Sequence, residues 1–309
     1  MLRLGIIGCG RQAERGHVPA AERARGVELA AVADTDLSRC AEAAPGVPAC
    51  GSVEELLGKG VDAVVVATPT REHLATARLA TEAGIPALVE KPPGRDAAEA
   101  AELAALPAPV WVGFNRRFDP DLEALRRRLA AERGLSLGLR LDFPIRLWRA
   151  HVAHDDSLLD LGTHLIDMAR WLLGAEVRRV RAVSLSPARA RLELDLGQSR
   201  ATIDCTSNRF WRESVRADGD AGRLADRRRG GFARVALGRL RLGPRDDGFV
   251  SSLAAQLEAL AGALQGVEDS RLAGVADGVA ALAGVAAARE SDAAGNDWRA
   301  VETWAGSVA

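Results

Sequence analysis

The chain has 309 residues, 48% of them hydrophobic, which is enough for two domains with their own cores. Its formal net charge of −1 provides no basic footprint for nucleic acid or for an anionic membrane, and no apolar run approaches the ~20 residues of a membrane span. No signal-peptide pattern begins the chain. We therefore expect a cytoplasmic protein without a nucleic-acid or membrane partner.

Two absences in the composition narrow the classes of enzyme. The sequence contains no tyrosine, on which short-chain dehydrogenases and aldo-keto reductases depend for catalysis. Its cysteines show no Cys-x-x-Cys pairing, so we expect neither a disulfide scaffold nor a structural zinc site, and a zinc-dependent alcohol dehydrogenase is disfavoured. The cysteines are Cys9, Cys40, Cys50 and Cys205.

The first apolar run, Leu2 to Gly8, predicts a buried parallel strand that ends in a glycine-rich turn. The turn has the pattern G-x-G-x-x-A between a strand and a helical stretch, which is typical of dinucleotide binding. In this pattern the first glycine permits a tight turn, the second lets a pyrophosphate approach the backbone, and the small third residue lets helix and strand pack closely. The candidate cofactor-binding residues are Gly8, Cys9, Gly10, Arg11 and Gln12, followed by Ala13.

A second apolar run, Val27 to Ala33, ends in Asp34, 24 positions after Gly10. An acid near this offset accepts hydrogen bonds from the ribose hydroxyls and repels a 2′-phosphate, so the sequence favours NAD, with NADP left open. Asp36 could share or take this role, and Arg39 would suit NADP. Asp34 could instead be a turn or capping residue.

Further strand signals alternate with helical patterns, and such alternation predicts a doubly wound parallel sheet. Ligands of such sheets bind beyond the carboxyl ends of the strands. The predicted strands are Val61 to Ala67, Ala87 to Glu90 and Val110 to Phe114, with a helix from Glu72 to Ala83. The candidate residues at these strand ends are Thr68, Pro69, Glu90, Lys91 and Asn115.

Lys91 is the candidate chemical centre of this edge. The chain has 39 arginines and two lysines, Lys59 and Lys91, among its 41 basic residues. A lysine ammonium can release a proton when burial lowers its pKa, whereas a guanidinium effectively cannot. The position of Lys91 directly after a buried strand favours a role in catalysis, and a solvated strand-end residue is the alternative.

Residues 1–117 are predicted to be a dinucleotide-binding Rossmann domain, and residues 118–309 an α+β domain with an open, mainly antiparallel sheet. A broad sheet face of this kind often serves as an oligomer interface, and we expect a homodimer or homotetramer. The arginine-rich run Arg223 to Arg229 is interpreted as a solvated loop. The predicted elements are helices Asp121 to Arg133, Leu253 to Gly266 and Ala273 to Arg289, and strands Ser136 to Ile145, Arg178 to Ser186, Arg189 to Leu196, Arg200 to Thr206 and Phe232 to Leu242.

A second set of polar residues lies in an apolar segment of this domain. If the segment is helical, Asp160, His164 and Asp167 fall at i, i+4 and i+7 on one face. A neutral histidine there could act as a general base on a substrate hydroxyl, with Asp160 orienting its ring. The equal alternative is a histidine on the helix face whose hydrogen bonds are satisfied within the protein and which has no role in catalysis. The H-x-x-H pair His151 and His154 lacks a third ligand at fixed spacing, so no metal site is expected.

Together these motifs closely resemble the Gfo/Idh/MocA family, the glucose-fructose and inositol dehydrogenase-like oxidoreductases, and the resemblance runs from end to end. Its most specific match is Glu90-Lys91-Pro92. The other matches are Gly8 to Ala13, Ala67-Thr68-Pro69 with His73, Val112 to Phe118, Asp160 to His164 with Asp167, and Ala288 to Ser291.

The resemblance implies that Lys91, Asp160 and His164 form the catalytic set. The histidine would exchange the hydroxyl proton, the lysine would hold the reacting oxygen, and the aspartate would support both, while hydride passes between the substrate carbon and the nicotinamide. Glu90 is implied beside the nicotinamide ribose. Thr68, Pro69 and His73 are implied to line the cofactor cleft.

The implied activity is that of a NAD(P)-dependent dehydrogenase or reductase acting on CH–OH groups of a sugar, cyclitol or nucleotide-linked keto-sugar. A redox-neutral enzyme with tightly held NAD, which oxidises its substrate transiently for elimination or glycoside cleavage, is the alternative. A cofactor sensor or scaffold is a third reading, which the retained catalytic set disfavours. The Gly-Gly pair that commonly precedes the Asp-x-Gly-x-His segment is replaced here, and the second domain is short, so the substrate is the least determined property. Candidate substrate contacts are Arg146, Trp148, Arg149, His151 and His154.

Overall fold

The computed structural model describes residues 1–144, 155–207, 210–230, 248–302 and 304. These residues form two compact units: residues 1–120 and 248–279 belong to the first, and residues 121–230 and 280–304 to the second. This division differs from the single boundary expected at residue 117, because the segment 248–279 packs with the N-terminal residues. Lying outside the described residues are the predicted strand Phe232 to Leu242 and the candidates Arg146, Trp148, Arg149, His151 and His154.

The strands of both units are numbered in chain order. They are β1 Leu2–Ile7, β2 Val27–Ala33, β3 Ala49–Cys50, β4 Ala63–Val66, β5 Ala87–Glu90, β6 Val110–Gly113, β7 Ser136–Asp142, β8 Arg179–Ser186, β9 Arg189–Leu196, β10 Ser199–Thr206, β11 Arg212–Gly219, β12 Gly222–Gly230, β13 Ala273–Gly274 and β14 Arg299–Ala300.

The α-helices are numbered in the same way, and shorter 3₁₀ and π segments join or precede them. The α-helices are α1 Val18–Arg23, α2 Leu37–Ala43, α3 Val53–Leu57, α4 His73–Glu82, α5 Ala97–Glu102, α6 Pro120–Leu129, α7 Thr163–Leu173, α8 Phe249–Ala263 and α9 Val275–Ala293. The 3₁₀ segments are Thr70–Glu72, Leu103–Ala105 and Asn115–Phe118, and the π segments are Ala13–His17 and Leu158–Gly162.

The first unit is built on a sheet with the strand order β13-β6-β5-β4-β1-β2-β3. Strands β1 to β6 pair in parallel, and the short edge strand β13 pairs antiparallel with β6. The strand order reverses beside β1, as in a doubly wound fold, so the predicted Rossmann architecture is confirmed. The inner strands β4 and β5 are buried along their whole length, which explains why they read as continuous apolar runs.

Helix α8 completes the core of this unit. Leu253 and Leu257 of α8 belong to the same buried cluster as Leu4 and Ile6 of β1. Close packing of α8 is possible because Gly16 has no side chain; a Cβ there would lie 2.9 Å from Leu253 Cδ1. Each fully buried leucine contributes roughly 1.5–3 kcal/mol to the free energy of unfolding, so residues far apart in sequence hold this unit together.

The second unit contains a sheet in the order β12-β11-β7-β10-β9-β8-β14. The β7–β10 pair is parallel and the other pairs are antiparallel, so the predicted open, mainly antiparallel sheet is confirmed. In β9, buried and more exposed residues alternate along the strand, as the sequence pattern predicted.

The interpretation of Arg223 to Arg229 as a loop was wrong, because these residues form most of the edge strand β12. Its arginines interrupt the alternation of apolar and polar residues that would have indicated a strand. Several of them have acidic partners in the second unit. Arg227 Nη1 lies 3.1 Å from Glu213 Oε1, and Arg229 Nη2 lies 2.6 Å from Asp121 Oδ2. Charged side chains are a common feature of edge strands, where they oppose pairing with another chain. Strand β11, its neighbour, was also absent from the predicted elements.

Candidate active site

The strands of the first unit end level with one another. Ile7 is the register partner of Ala33 in β2 and of Val66 in β4, and Val66 is in turn the partner of Val89 in β5. Because parallel strands end at the same edge of a sheet, the residues that follow them come together there. They are Gly8, Asp34, Ala67, Thr68 and Lys91, and Glu90, the last residue of β5, lies beside them.

The glycine loop has the geometry that a dinucleotide phosphate requires. Gly8 has a φ of +94°, and a Cβ there would lie 2.7 Å from the carbonyl oxygen of Ala67, so a side chain is disfavoured on both grounds. A Cβ at Gly10 would have no heavy atom within 4 Å, so the backbone of Gly10 faces open space. The residues present therefore fit a pyrophosphate group. Arg11 is exposed at the same loop, with Nη1 3.6 Å from Glu14 Oε2.

Asp34 is held at the end of β2 by two backbone amides. The N–H of Cys9 donates to Asp34 Oδ2 at 2.9 Å, and the N–H of Asp36 donates to Asp34 Oδ1 at 2.9 Å. Each carboxylate oxygen has a second lone pair and can accept another hydrogen bond, such as one from a ribose hydroxyl. The turn role and the cofactor role that the sequence left open are thus compatible.

Asp36, the alternative ribose-binding acid, and Arg39, the residue that would suit NADP, form an ion pair at the start of α2. Asp36 caps this helix, since its Oδ1 accepts hydrogen bonds from Ser38 N at 3.1 Å and from Ser38 Oγ at 2.6 Å. Arg39 Nε lies 3.5 Å from Asp36 Oδ2. The geometry therefore favours Asp34 over Asp36 as the ribose-binding acid.

Thr68 and His73 shape the edge next to the glycine loop. The hydroxyl oxygen of Thr68 is buried and has no hydrogen-bond partner in the described part of the chain, so it is a candidate to bond a ligand. The buried ring of His73 instead bridges two backbone carbonyls: Nε2 lies 2.9 Å from Thr68 O, and Nδ1 lies 2.9 Å from Pro92 O. His73 thereby ties the end of β4 to the segment after β5.

Glu90 is the most tightly held side chain at this edge. His17 Nε2 lies 2.6 Å from Glu90 Oε1, Gln12 Nε2 donates to the same oxygen at 3.0 Å, and the N–H of Lys91 donates to Oε2 at 3.1 Å. Burial by itself raises the pKa of Glu90, but the interactions with His17, Lys91 and Gln12 outweigh burial and hold the pKa below its usual 4.5. The side chain is therefore a fixed carboxylate.

Lys91 follows Glu90 directly and is half-buried, with a cis peptide bond to Pro92. It directly follows the end of β5, at the edge of a parallel sheet where ligands commonly bind. Asn115, after β6, is buried and donates from Nδ2 to Ser252 Oγ of α8 at 3.0 Å. Its side chain is thus oriented by the helix that completes the core of the first unit.

In the second unit, Asp160, His164 and Asp167 lie on one continuous helical segment, as predicted, and all three are buried. The segment begins with a π turn over Leu158–Gly162 that contains Asp160, and continues as α7 with the other two residues. π turns occur frequently at functional sites. Asp167 has a structural neighbour in Arg170, whose Nη1 lies 3.8 Å from Asp167 Oδ1.

The cysteines are buried thiols without a suitable environment for nucleophilic chemistry. Burial raises the pKa of the Cys205 thiol to about 12, and nearby acids, Asp160 among them, add to the effect. The pKa of Cys9 is also strongly raised, first by burial and then by Cys40, whose Sγ lies 3.5 Å from Cys9 Sγ. A reactive cysteine requires the opposite shift.

His17 is the residue at this edge that the sequence patterns did not single out. It lies seven positions after Gly10, beyond the glycine pattern, in a π turn over Ala13–His17. The sequence could have drawn attention to His17, since it is one of five histidines and it lies in the helical segment that follows the glycine pattern. The sequence could not indicate which residue His17 contacts, because Glu90 is 73 residues away along the chain.

Two features are absent from the described residues. None of their helices is long and apolar enough to cross a membrane. Nor do they contain a cluster of three or more histidine, cysteine, aspartate or glutamate side chains that could hold a metal ion.

Comparison with known proteins agrees with this geometry. The family model for the NAD-binding Rossmann fold of the GFO/IDH/MocA oxidoreductases matches residues 2–108, and the model for the GFO/IDH/MocA C-terminal domain matches residues 142–225. The rhizopine catabolism protein MocA of Rhizobium meliloti is 32% identical over 312 residues, which cover 93% of this chain and 94% of that protein.

Inositol 2-dehydrogenase 4 of Saccharopolyspora erythraea is 35% identical over 199 residues, which cover 58% of this chain and 56% of that protein, less than two thirds of its length. The crystal structure of myo-inositol dehydrogenase from Lactobacillus casei in complex with NAD(H) and myo-inositol has a TM-score of 0.76 at 18% identity. This match covers 100% of the present chain and 99% of the other, which shows a common fold. The chain belongs to the GFO/IDH/MocA family of oxidoreductases, whose N-terminal domain is an NAD-binding Rossmann fold.

Proposed function

We propose that the protein is an NAD(H)-dependent dehydrogenase that acts on a hydroxyl-bearing carbon of a cyclitol, sugar or related polyol. The observation that carries this proposal is the level alignment of the strand ends, which brings the glycine loop, Asp34 and Lys91 to one edge. The names of the relatives, which refer to inositol oxidation and rhizopine catabolism, support the substrate class.

Each part of the cofactor has a candidate partner in the first unit. The backbone of Gly8 to Gln12 would hold the pyrophosphate, and Asp34 would accept hydrogen bonds from the adenosine ribose. Thr68 Oγ1, which lacks a partner among the residues that the structure describes, and the fixed carboxylate of Glu90 would face the nicotinamide half. Pro69, His73 and Asn115 would shape the cleft. The charge of Asp34 opposes a 2′-phosphate, so we propose NAD as the preferred cofactor, and NADP as the weaker one.

The proposed chemistry divides between three side chains. His164 removes the proton from the substrate hydroxyl as a general base, and Asp160 orients its ring. The ammonium of Lys91 holds the reacting oxygen and stabilises the negative charge that develops on it as the O–H bond breaks. The bound nicotinamide supplies the acceptor for the hydride that leaves the same carbon. The products are a ketone, NADH and a protonated His164, so atoms and charge balance.

No feature of the described ranges favours the redox-neutral alternative, in which NAD stays bound and returns to its oxidised form. We propose, from the sequence, that the protein forms a homodimer or homotetramer and that it is located in the cytoplasm.

The test begins with the cofactor and continues with the substrate. The purified protein is denatured and its supernatant chromatographed for bound dinucleotide, and exchange with added NAD⁺ is then measured. Next, cyclitols and sugars are supplied with NAD⁺ while NADH fluorescence and ketone formation are followed. We expect free exchange and one ketone for each NADH. Failure to bind either dinucleotide would overturn the proposal, and a retained cofactor with turnover but no net NADH would replace it with the redox-neutral alternative.

A further inference from the structure

We propose that His17 is a positioning residue that holds Glu90 as a fixed anion beside Lys91, and that this anion makes the site favour oxidised over reduced nicotinamide dinucleotide. The inference rests on the proposed function for the identity of the cofactor. It goes further by assigning a role to His17, a residue outside the sequence motifs, and by predicting how the site distinguishes two redox states of one ligand.

The first step is the placement of His17. The helical segment after the glycine loop has π hydrogen bonding over Ala13–His17, and the N–H of Val18 donates to the carbonyl of Ala13. A π turn contains one residue more than an α turn and changes the direction of the side chains that follow it. The His17 ring is completely buried, and its Nε2 lies 2.6 Å from Glu90 Oε1. Within the described ranges its buried Nδ1 has no hydrogen-bond partner, so the polar contact of this ring there is the one to Glu90.

The second step is the immobility of Glu90. Besides His17, the side chain of Gln12 and the backbone N–H of Lys91 donate to its two oxygens. The carboxylate packs against Gly113, where a Cβ would lie 3.3 Å from Glu90 Oε2. The carboxylate of Glu90 is therefore fixed in one position by its hydrogen-bond donors and by the close backbone of Gly113. A carboxylate is an acceptor only, so His17 Nε2 carries the proton in this bond.

The third step is the charge of the ligand. The oxidised nicotinamide ring is cationic and the reduced ring is neutral. A fixed carboxylate in a partly buried site attracts the cation more strongly than it would in water, because the effective dielectric is lower. Glu90 ends β5 at the ligand edge of the sheet and its backbone adjoins Lys91. Its anion therefore stabilises the oxidised ring selectively, and His17 acts through Glu90.

The test compares the dissociation constants of NAD⁺ and NADH for five variants and the wild type by fluorescence or calorimetric titration. In Glu90→Gln, which removes the charge and keeps the size, we expect the affinity ratio of NAD⁺ to NADH to fall on the order of ten-fold. His17→Leu, which removes the donor, should shift the ratio in the same direction, and His17→Gln, which restores a donor, should recover part of the shift.

Two further variants separate positioning from general damage. The double variant His17→Leu/Glu90→Gln should have the ratio of Glu90→Gln alone, because His17 has no route to the ligand once the anion is gone. Glu14→Gln removes an exposed carboxylate from the same π turn and should leave the ratio unchanged. A loss of packing would weaken both dinucleotides equally and leave the ratio where it was.

The outcomes distinguish this inference from the proposed function. Wild-type protein that binds neither dinucleotide overturns the proposed function. Wild-type protein that binds both, with a ratio that Glu90→Gln does not change, overturns this inference alone. A shift in Glu90→Gln without one in either His17 variant overturns the role of His17. If His17→Leu does not fold, His17→Gln and Glu90→Gln decide the question.

Discussion

The backbone N–H of Cys9 donates a hydrogen bond to Asp34 Oδ2 across 2.9 Å, so the glycine loop after β1 and the acid after β2 form one connected element. Asp34 is therefore oriented by the backbone, and each of its carboxylate oxygens keeps a lone pair that can accept a further hydrogen bond. An acid fixed in this way would oppose a 2′-phosphate, as the proposed preference for NAD requires, without a further entropy cost for ordering its side chain.

Replacement of Asp34 should change the choice between the two dinucleotides. In Asp34→Ser the negative charge is gone and the repulsion of the 2′-phosphate disappears, so we expect the ratio of kcat/KM with NADPH to that with NADH to rise on the order of ten-fold. The matched control is Asp36→Ser, which removes a charge two residues away from a side chain that caps α2. An equal shift in the control, or none in Asp34→Ser, would show that another residue selects the cofactor.

Lys91 should be required for turnover and nearly dispensable for cofactor binding. Loss of its ammonium removes the group that holds the reacting oxygen, and we expect Lys91→Ala to lower kcat by about 10²–10⁴. The dissociation constant of NADH, measured by fluorescence titration, should stay close to that of the wild type. The other lysine of the chain provides the control, since Lys59 is exposed and has Nζ 3.6 Å from Glu55 Oε1. Full turnover in Lys91→Ala would sink the catalytic assignment.

Acid should weaken the first unit through Glu90. Burial opposes the charge of this carboxylate, but His17 outweighs burial and holds the Glu90 pKa below its ordinary 4.5. A group with a lowered folded-state pKa stabilises the fold above its unfolded pKa, and this contribution is lost as the pH falls through the folded value. In urea titrations, the stability advantage of the wild type over Glu90→Gln should therefore shrink as the pH falls from about 5 to about 3. An advantage that grows over this range would contradict the direction of the shift, and Glu14→Gln is the exposed control.

Gln256 is a buried position where a polar side chain reduces stability. It lies in α8 with no exposed surface, and neither its Nε2 nor its Oε1 has a hydrogen-bond partner among the described residues. An unsatisfied buried polar group costs about 1–3 kcal/mol, so Gln256→Met should raise the free energy of unfolding by about that amount. Gln265→Met, at an exposed position just beyond the same helix, should change it by less than about 0.5 kcal/mol. Destabilisation by Gln256→Met would indicate that this amide is satisfied by a bound water or ligand.

Most of the first unit could be predicted because its elements carry local signals. The runs Val27–Ala33 and Ala87–Glu90 are strands with the predicted bounds, and the doubly wound parallel sheet was predicted from their alternation with helices. Elements without such a signal were absent from the prediction. Strand β3 has two residues, and β12 contains arginines on both sides of the strand.

The sequence alone was sufficient to predict which residues lie at the strand ends, because a glycine pattern, an acid at a fixed offset and a rare lysine are all local features. The partners of these residues required the tertiary structure. His17 and Glu90 are 73 residues apart, and they meet because parallel strands and a π turn place both at the same edge. A hydrophobic period describes which face of an element is buried, but packing between distant elements determines which side chain lies opposite it.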